Sequence, residues 1–209
     1  MKYKNALTIG CIGDSITAGT GLAEPNENAF PAQLERILND GTIVYNFGNG
    51  GKTMRNDLGV DSYVNSITYE NLIQTASELD VVTIMLGTND AYHAKGWTDH
   101  EKITFKKDCH SLFAKLSENN PSLQFILMNA PACFGEQACR YDMEPLRSLQ
   151  EELVQELNDR GFKTRFFDMY SVTNGLGEHF PDGLHPNKTG HLKMAQALGS
   201  LILELKFDI

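Results

Sequence analysis

The sequence predicts a single α/β domain of three layers, with helices covering both faces of a five-stranded parallel sheet. Two observations carry that expectation. Five short apolar runs alternate along the chain with longer segments whose apolar residues recur at helical spacing, the pattern of strand–helix units joined by right-handed crossovers. The runs are nearly continuous in apolar residues rather than alternating with polar ones, as strands buried on both faces are. Length agrees, because 209 residues bury a sufficient core without staples. No internal repeat, low-complexity linker or second domain interrupts residues 1–209.

Taken in order, the first strand is expected over Leu7–Ile12, ending at Gly13. Phe30–Asn39 reads as a helix, with Leu34, Ile37 and Leu38 on one face. Thr42–Phe47 is the second strand, stopped by the glycines of Gly48–Gly51. Asp57–Thr75 reads as an irregular segment followed by a helix, and Asp80–Leu86 as the third strand. Asp99–Glu118 places Phe105, Cys109, Leu112, Phe113 and Leu116 on one helical stripe. Leu123–Asn129 is the fourth strand. Asp142–Arg160 is helical through Met143, Leu146, Leu149, Leu153, Val154 and Leu157. It tolerates Pro145 in its first turn, where the missing N–H has no partner, and it stops at Gly161. Thr164–Met169 is the fifth strand, and Asn187–Lys206 closes the chain as a helix burying Leu192, Ala195, Leu198, Ile202 and Leu205.

Charge narrows the partners. With 18 basic against 27 acidic residues the net charge is −9, which repels nucleic acid and acidic membrane surfaces. No apolar run approaches the ~20 residues of a membrane span. The opening Met1–Gly10 only faintly imitates a signal peptide: its apolar stretch is short and no small-residue cleavage site follows. The expected compartment is the cytoplasm. Cys11, Cys109, Cys133 and Cys139 show neither Cys-x-x-Cys nor zinc-type spacing. Cys11 and Cys109 read as core residues. Cys133 and Cys139 share a loop, where a reducing cytosol disfavours a bridge.

The chemistry lies at the strand ends. Gly13-Asp14-Ser15 puts a serine where a buried strand breaks into a turn, a suitable place for a nucleophile. Asp182-Gly183-Leu184-His185 spaces a carboxylate three residues before an imidazole, so that Asp182 meets Nδ1 and leaves Nε2 for Ser15. Ser15 follows the first strand, Gly48–Gly51 the second and Asn89 the third, while Asp182 and His185 lie between the fifth strand and the last helix. In an open parallel sheet these ends share one rim, where ligands bind. Ser15 offers a backbone N–H and Asn89 a side-chain N–H to an oxyanion. His93 and His100 fall after the third strand, near enough to line a pocket. His110, His179 and His191 read as ordinary structural histidines.

Four ordered blocks, Gly13-Asp14-Ser15, Asn46-Phe47-Gly48-Asn49-Gly50-Gly51, Gly87-Thr88-Asn89-Asp90 and Asp182–His185, resemble the SGNH branch of the GDSL esterases and lipases over about Thr8 to Leu198. That resemblance implies a flavodoxin-like strand order. It implies Ser15, Asp182 and His185 as catalytic residues and Ser15, Gly51 and Asn89 as oxyanion donors, with no metal or cofactor. Asp14 is expected to hold the nucleophile turn and to lie at the substrate, and Asp90 to act similarly near Asn89. Lys52 and Thr53 are expected on the rim of the acyl pocket. Tyr92–Trp97 and Pro131–Phe134 look similar to loops of carbohydrate O-acetylesterase-like members, with Tyr92 and Trp97 as substrate contacts and Trp97 placed to stack on a sugar. The expected partner is a small soluble ester, with acetylated carbohydrate the favoured class and a longer acyl ester or thioester the alternative.

Two decoys fail. Asn46–Thr53 nearly spells G-x-x-x-x-G-K-T, but Met54–Val60 is a poor helix and a P-loop must open one. The G-x-S-x-G elbow of α/β-hydrolases occurs nowhere in the sequence. A sugar-binding module that kept the fold without the chemistry is disfavoured by intact Ser15, Asn89, Asp182 and His185.

Overall fold

The computed structural model describes residues 6–39, 41–94 and 96–205. Strands β1 (Thr8–Gly13), β2 (Ile43–Gly48), β3 (Val81–Met85), β4 (Gln124–Met128) and β5 (Lys163–Phe167) form one sheet in the order β2-β1-β3-β4-β5. Every pairing is parallel, which is the expected fold class, with each strand displaced from its predicted run by no more than two residues. In chain order the helices are α1 (Ser15–Ala18), α2 (Pro25–Asn28), α3 (Phe30–Leu38), α4 (Ile67–Thr75), α5 (Thr88–His93), α6 (Asp99–Asn119), α7 (Glu136–Arg140), α8 (Met143–Asp159), α9 (Met169–Thr173) and α10 (Lys188–Glu204). The irregular stretch before α4 consists of two 3₁₀ turns, Asn56–Asp61 and Tyr63–Asn65. Short α1, α2, α5, α7 and α9 went unread because four to six residues span too few turns to show a 3.6-residue period.

Alternation along the strands makes the three layers. Phe125 and Leu127 of β4 join Val82 and Ile84 of β3 against Leu72, Phe113 and Leu153 from α4, α6 and α8. Ile126 and Met128 point the other way and join Ile9, Cys11 and Val81 against Leu34, Leu198 and Ile202 from α3 and α10. Cys11 and Cys109 are fully buried free thiols, as expected. The two outer strands depart from the two-faced burial the sequence suggested. β2 leaves Ile43 and Tyr45 exposed, since an edge strand has only one neighbour. The edge is blunted where Val44 N–H donates to Glu35 Oε2 at 2.8 Å. Leu192, expected in the core, is 37% exposed, because the buried stripe of α10 runs through His191, Met194, Ala195 and Leu198 and passes beside it.

The strand order reverses between β1 and β3, the switch point at which such sheets hold ligands. Gly13 pairs with Gly48 on one side and Met85 on the other, so three strands end level there. Among the described residues no helix is long and apolar enough to cross a membrane.

Candidate active site

Asp14 shapes the nucleophile turn. Its Oδ1 accepts the Ile16 N–H at 2.9 Å, capping α1 and making Ser15 the first helical residue. The carboxylate is fully buried. Burial pushes its pKa up to about 6, and the Ile16 N–H draws it only part of the way back. Asp14 therefore lies beneath the site and not at the substrate, correcting half of the expectation for it. The turn is tight because Gly13 lacks a side chain: a Cβ there would sit 2.0 Å from Thr17 Oγ1.

A second turn brings the imidazole. Asp182 Oδ1 accepts N–H groups from Leu184 at 2.9 Å and His185 at 2.7 Å, while its Oδ2 lies 2.6 Å from His185 Nδ1. The fully accepting carboxylate puts the ring proton on Nδ1, leaving the Nε2 lone pair to accept the Ser15 hydroxyl at 2.9 Å. Burial raises the Asp182 pKa, but the bonds from the His185 ring and the two backbone N–H groups outweigh it and hold the carboxyl below its usual range. Gly183 at φ +80° makes the turn possible. Its carbonyl accepts the Phe134 N–H at 2.8 Å, and a Cβ at 183 would lie 2.4 Å from Phe134 O. The loop after β4 thus clamps the Asp182–His185 turn.

The expected oxyanion donors arrive from β2 and β3. Asn89, in the first turn of α5, donates from Nδ2 to the Lys52 carbonyl at 3.0 Å. One amide proton is used there and the other remains for a ligand. Gly51 takes φ +74°, and a Cβ at Gly50 would lie 3.8 Å from Ser15 Cβ, so the glycine turn passes against the nucleophile. Beneath it, fully buried Asp90 accepts the N–H groups of Met54 at 2.8 Å and Arg55 at 2.9 Å. Arg55, itself buried, pairs with Asp57 at 2.9 Å and Glu101 at 3.2 Å. Asp108 accepts the Asn56 N–H at 2.7 Å. The sequence reading missed this anchor: Thr98-x-x-Glu101 is legible as a capping box, but no local signal ties it to Arg55. After Lys52-Thr53 the chain enters a bridge between Thr53 and Ser62 and a 3₁₀ turn, with no α-helix opening, which removes the phosphate-loop reading.

Several expected contacts lie elsewhere. Trp97 is 2% exposed, edge-on to Phe105 with Nε1 donating to Asp142 O at 2.8 Å, and has no face for a sugar. Thr53 is fully buried, its hydroxyl bonded to the Arg55 and Asp61 carbonyls, so it is not a rim residue. Lys52 turns its ammonium to Val60 O at 2.5 Å. Tyr92 stays available at 53% exposure. His93 and His100 face Asp61 and Asp57 at 3.9 and 3.8 Å. Cys133 is a free thiol that burial pushes up to about 11, which removes it as a competing nucleophile. The side chain of Cys139 lies outside the described residues. Among those residues no group of three His, Cys, Asp or Glu is arranged to hold a metal ion.

Fold and site together define a class: a doubly wound α/β protein with serine, histidine and aspartate hydrogen-bonded in series at the switch point of its sheet. The chain belongs to the GDSL-like lipase/acylhydrolase family, whose model matches residues 9–198. It is similar to an acetylxylan esterase of Xylanibacter ruminicola, 27% identical over 223 residues, covering 95% of this chain but 44% of that longer protein. Among solved structures, an active-site mutant of a family two carbohydrate esterase from Clostridium thermocellum superposes with a TM-score of 0.71 at 23% identity, over 97% of this chain and 65% of that one. A catalytic mutant of an acetylxylan esterase from Geobacillus stearothermophilus gives 0.67 at 23% identity, over 95% and 94% of the two chains. At such identities these structures speak to the fold.

Proposed function

We propose that the protein is a serine esterase that removes short acyl groups, acetyl above all, from a soluble carbohydrate ester through an acyl-enzyme. The observation that carries this reading is the unbroken series from Ser15 Oγ through the His185 ring to Asp182, at 2.9 and 2.6 Å. Ser15 Oγ attacks the ester carbonyl and passes its proton to Nε2, and Asp182 steadies the imidazolium. The Ser15 and Gly51 N–H groups and the second amide proton of Asn89 receive the oxyanion. Collapse expels the alcohol, which takes the proton from Nε2. Water then repeats the cycle, releasing the acid and restoring the serine. The names of the carbohydrate-acting relatives support a sugar ester as substrate. The unpaired Cys11, Cys109 and Cys133 accord with a reducing cytoplasm.

The test is acetate release from acetylated xylo-oligosaccharides and from 4-nitrophenyl acetate, by wild type and Ser15→Ala. Turnover of both by the wild type and neither by the variant is expected. Undiminished hydrolysis by Ser15→Ala removes the mechanism, and activity on 4-nitrophenyl acetate alone removes the sugar.

A further inference from the structure

Beside the catalytic rim, a cavity of about 240 Å³ opens between the loop after β4 and the start of α8, with Cys133, Tyr141, Glu144, Arg147 and Tyr170 in its wall. The ester chemistry uses none of them. The volume falls just below the range of clefts that enclose drug-sized ligands, and suits a single ring.

Three observations tie this cavity to Ser15. Cys133 adjoins Phe134, whose N–H is bonded to Gly183 O at 2.8 Å, so the near wall is fastened to the turn that carries His185. Burial raises the Cys133 thiol and the Tyr141 phenol, and the Asp14 carboxylate raises both further, which puts the pair within electrostatic reach of the group beneath Ser15. The Tyr141 ring packs 5.4 Å from that of Tyr92, which stands one helical turn beyond Asn89. The wall is braced from behind, because the buried Trp97 indole holds the Asp142 carbonyl at 2.8 Å.

The lining has the chemistry of saccharide recognition. Tyr141 and Tyr170 are partly exposed in the wall, and the apolar face of such a ring suits the C–H side of a pyranose. The Arg147 guanidinium lies 3.7 Å over the Tyr170 ring and pairs with Glu144, so a cationic donor stands beside an anionic acceptor at the cavity wall, the pair of groups that sugar hydroxyls bond. We infer that this cavity binds a pyranose ring of the carbohydrate whose acetyl ester reaches Ser15, with Tyr141 as its stacking face and Glu144 and Arg147 as its hydroxyl partners. The inference rests on the esterase reading for what occupies Ser15. A second cavity, of about 360 Å³, lies along Phe134–Gln137 and Phe180–Gly183 beside Asp182. It has no comparable pairing of a fixed cation with tyrosine faces, and it serves as the control.

The experiment compares kcat/KM for acetylated xylobiose with that for 4-nitrophenyl acetate, whose leaving group carries no sugar. In Tyr141→Ala and in Arg147→Gln the sugar-to-nitrophenyl ratio should fall at least about tenfold, mainly through KM, while Tyr141→Phe, which keeps the ring, should hold it within about threefold. Arg147→Gln decides the matter should Tyr141→Ala fail to fold. A ratio unmoved in both variants overturns the inference, as does a ratio that moves instead in Gln137→Ala, in the second cavity. The esterase reading has its own outcome: wild type and Ser15→Ala equal on 4-nitrophenyl acetate. A wild type that cleaves the nitrophenyl ester but no acetylated sugar leaves the esterase chemistry standing and overturns the pyranose site.

Discussion

At Ser15 the hydroxyl lies 2.9 Å from an imidazole whose other nitrogen is 2.6 Å from a carboxylate, so each bond presets the next. A serine-directed phosphonate should accordingly label Ser15 once per chain, and mass spectrometry of the peptide carrying Gly13–Thr17 checks it. Asn89→Ala should lower kcat by about 10²–10³, or ~2.7–4 kcal/mol of transition-state stabilisation, with a smaller change in KM. A change confined to KM in steady-state kinetics would make Asn89 a substrate-positioning group. His191 gives a stability prediction. Its ring is fully buried, with Nδ1 accepting the Phe30 N–H at 3.2 Å. Burial, and secondarily the charge of His185, pull its pKa down from 6.5 to about 4. The unfolded chain takes up that proton first, so this group costs stability as pH falls from 6.5 towards 4. Asp14 and Asp90, both raised to about 6, act oppositely: they favour the folded chain as pH falls through 6. That contribution is common to wild type and variant and cancels in the comparison. His191→Gln should gain on wild type by up to roughly 3 kcal/mol between pH 7 and pH 4. Parallel urea-unfolding curves across that range would refute the assignment.

At the scale of elements, two glycines separate strain from collision. Gly51 and Gly183 both have positive φ, but a Cβ at Gly51 meets nothing within 4 Å whereas one at Gly183 meets Phe134 O at 2.4 Å. Gly51→Ala should cost about 1–2 kcal/mol of backbone strain and little beyond. Gly183→Ala must move either the loop after β4 or the turn bearing Asp182 and His185. A displacement near 1 Å would cost on the order of 10² in kcat. Far-UV circular dichroism beside steady-state kinetics distinguishes the two: a Gly183→Ala enzyme with native activity would show that the clamp does not position the turn. The need for a left-handed residue at Gly183 follows from a turn with a carboxylate three residues before the imidazole. Its collision partner Phe134, 49 residues upstream in the loop after β4, is invisible to any local pattern.

For the whole molecule, the level ends of β1, β2 and β3 bring the glycine turn against Ser15, with Gly50 standing 3.8 Å from its Cβ by the position of an added methyl carbon. Little room remains for a long acyl chain on that side. Acetyl and butyryl esters should be cleaved well, with kcat/KM falling as the chain lengthens, since an added methylene contributes its ~0.8 kcal/mol only where apolar surface receives it. A series of 4-nitrophenyl esters checks this. An optimum at octanoyl or beyond would point to a lipid or thioester substrate.

The sequence by itself determined the strand–helix alternation, the core stripes and the four blocks that meet at the rim, because apolar period and turn chemistry are local and these elements are long or sharply punctuated. It could not decide what stands between those blocks. Trp97 reads as a sugar-stacking contact but is packed on Phe105; Thr53 reads as a rim residue but bonds two carbonyls in the interior. The Asp90–Arg55–Glu101 anchor joins residues that come together only when β2 and β3 end level on either side of β1. Burial, and with it the choice between a side chain that packs and one that binds, is a property of long-range neighbours, so only the tertiary structure decided it.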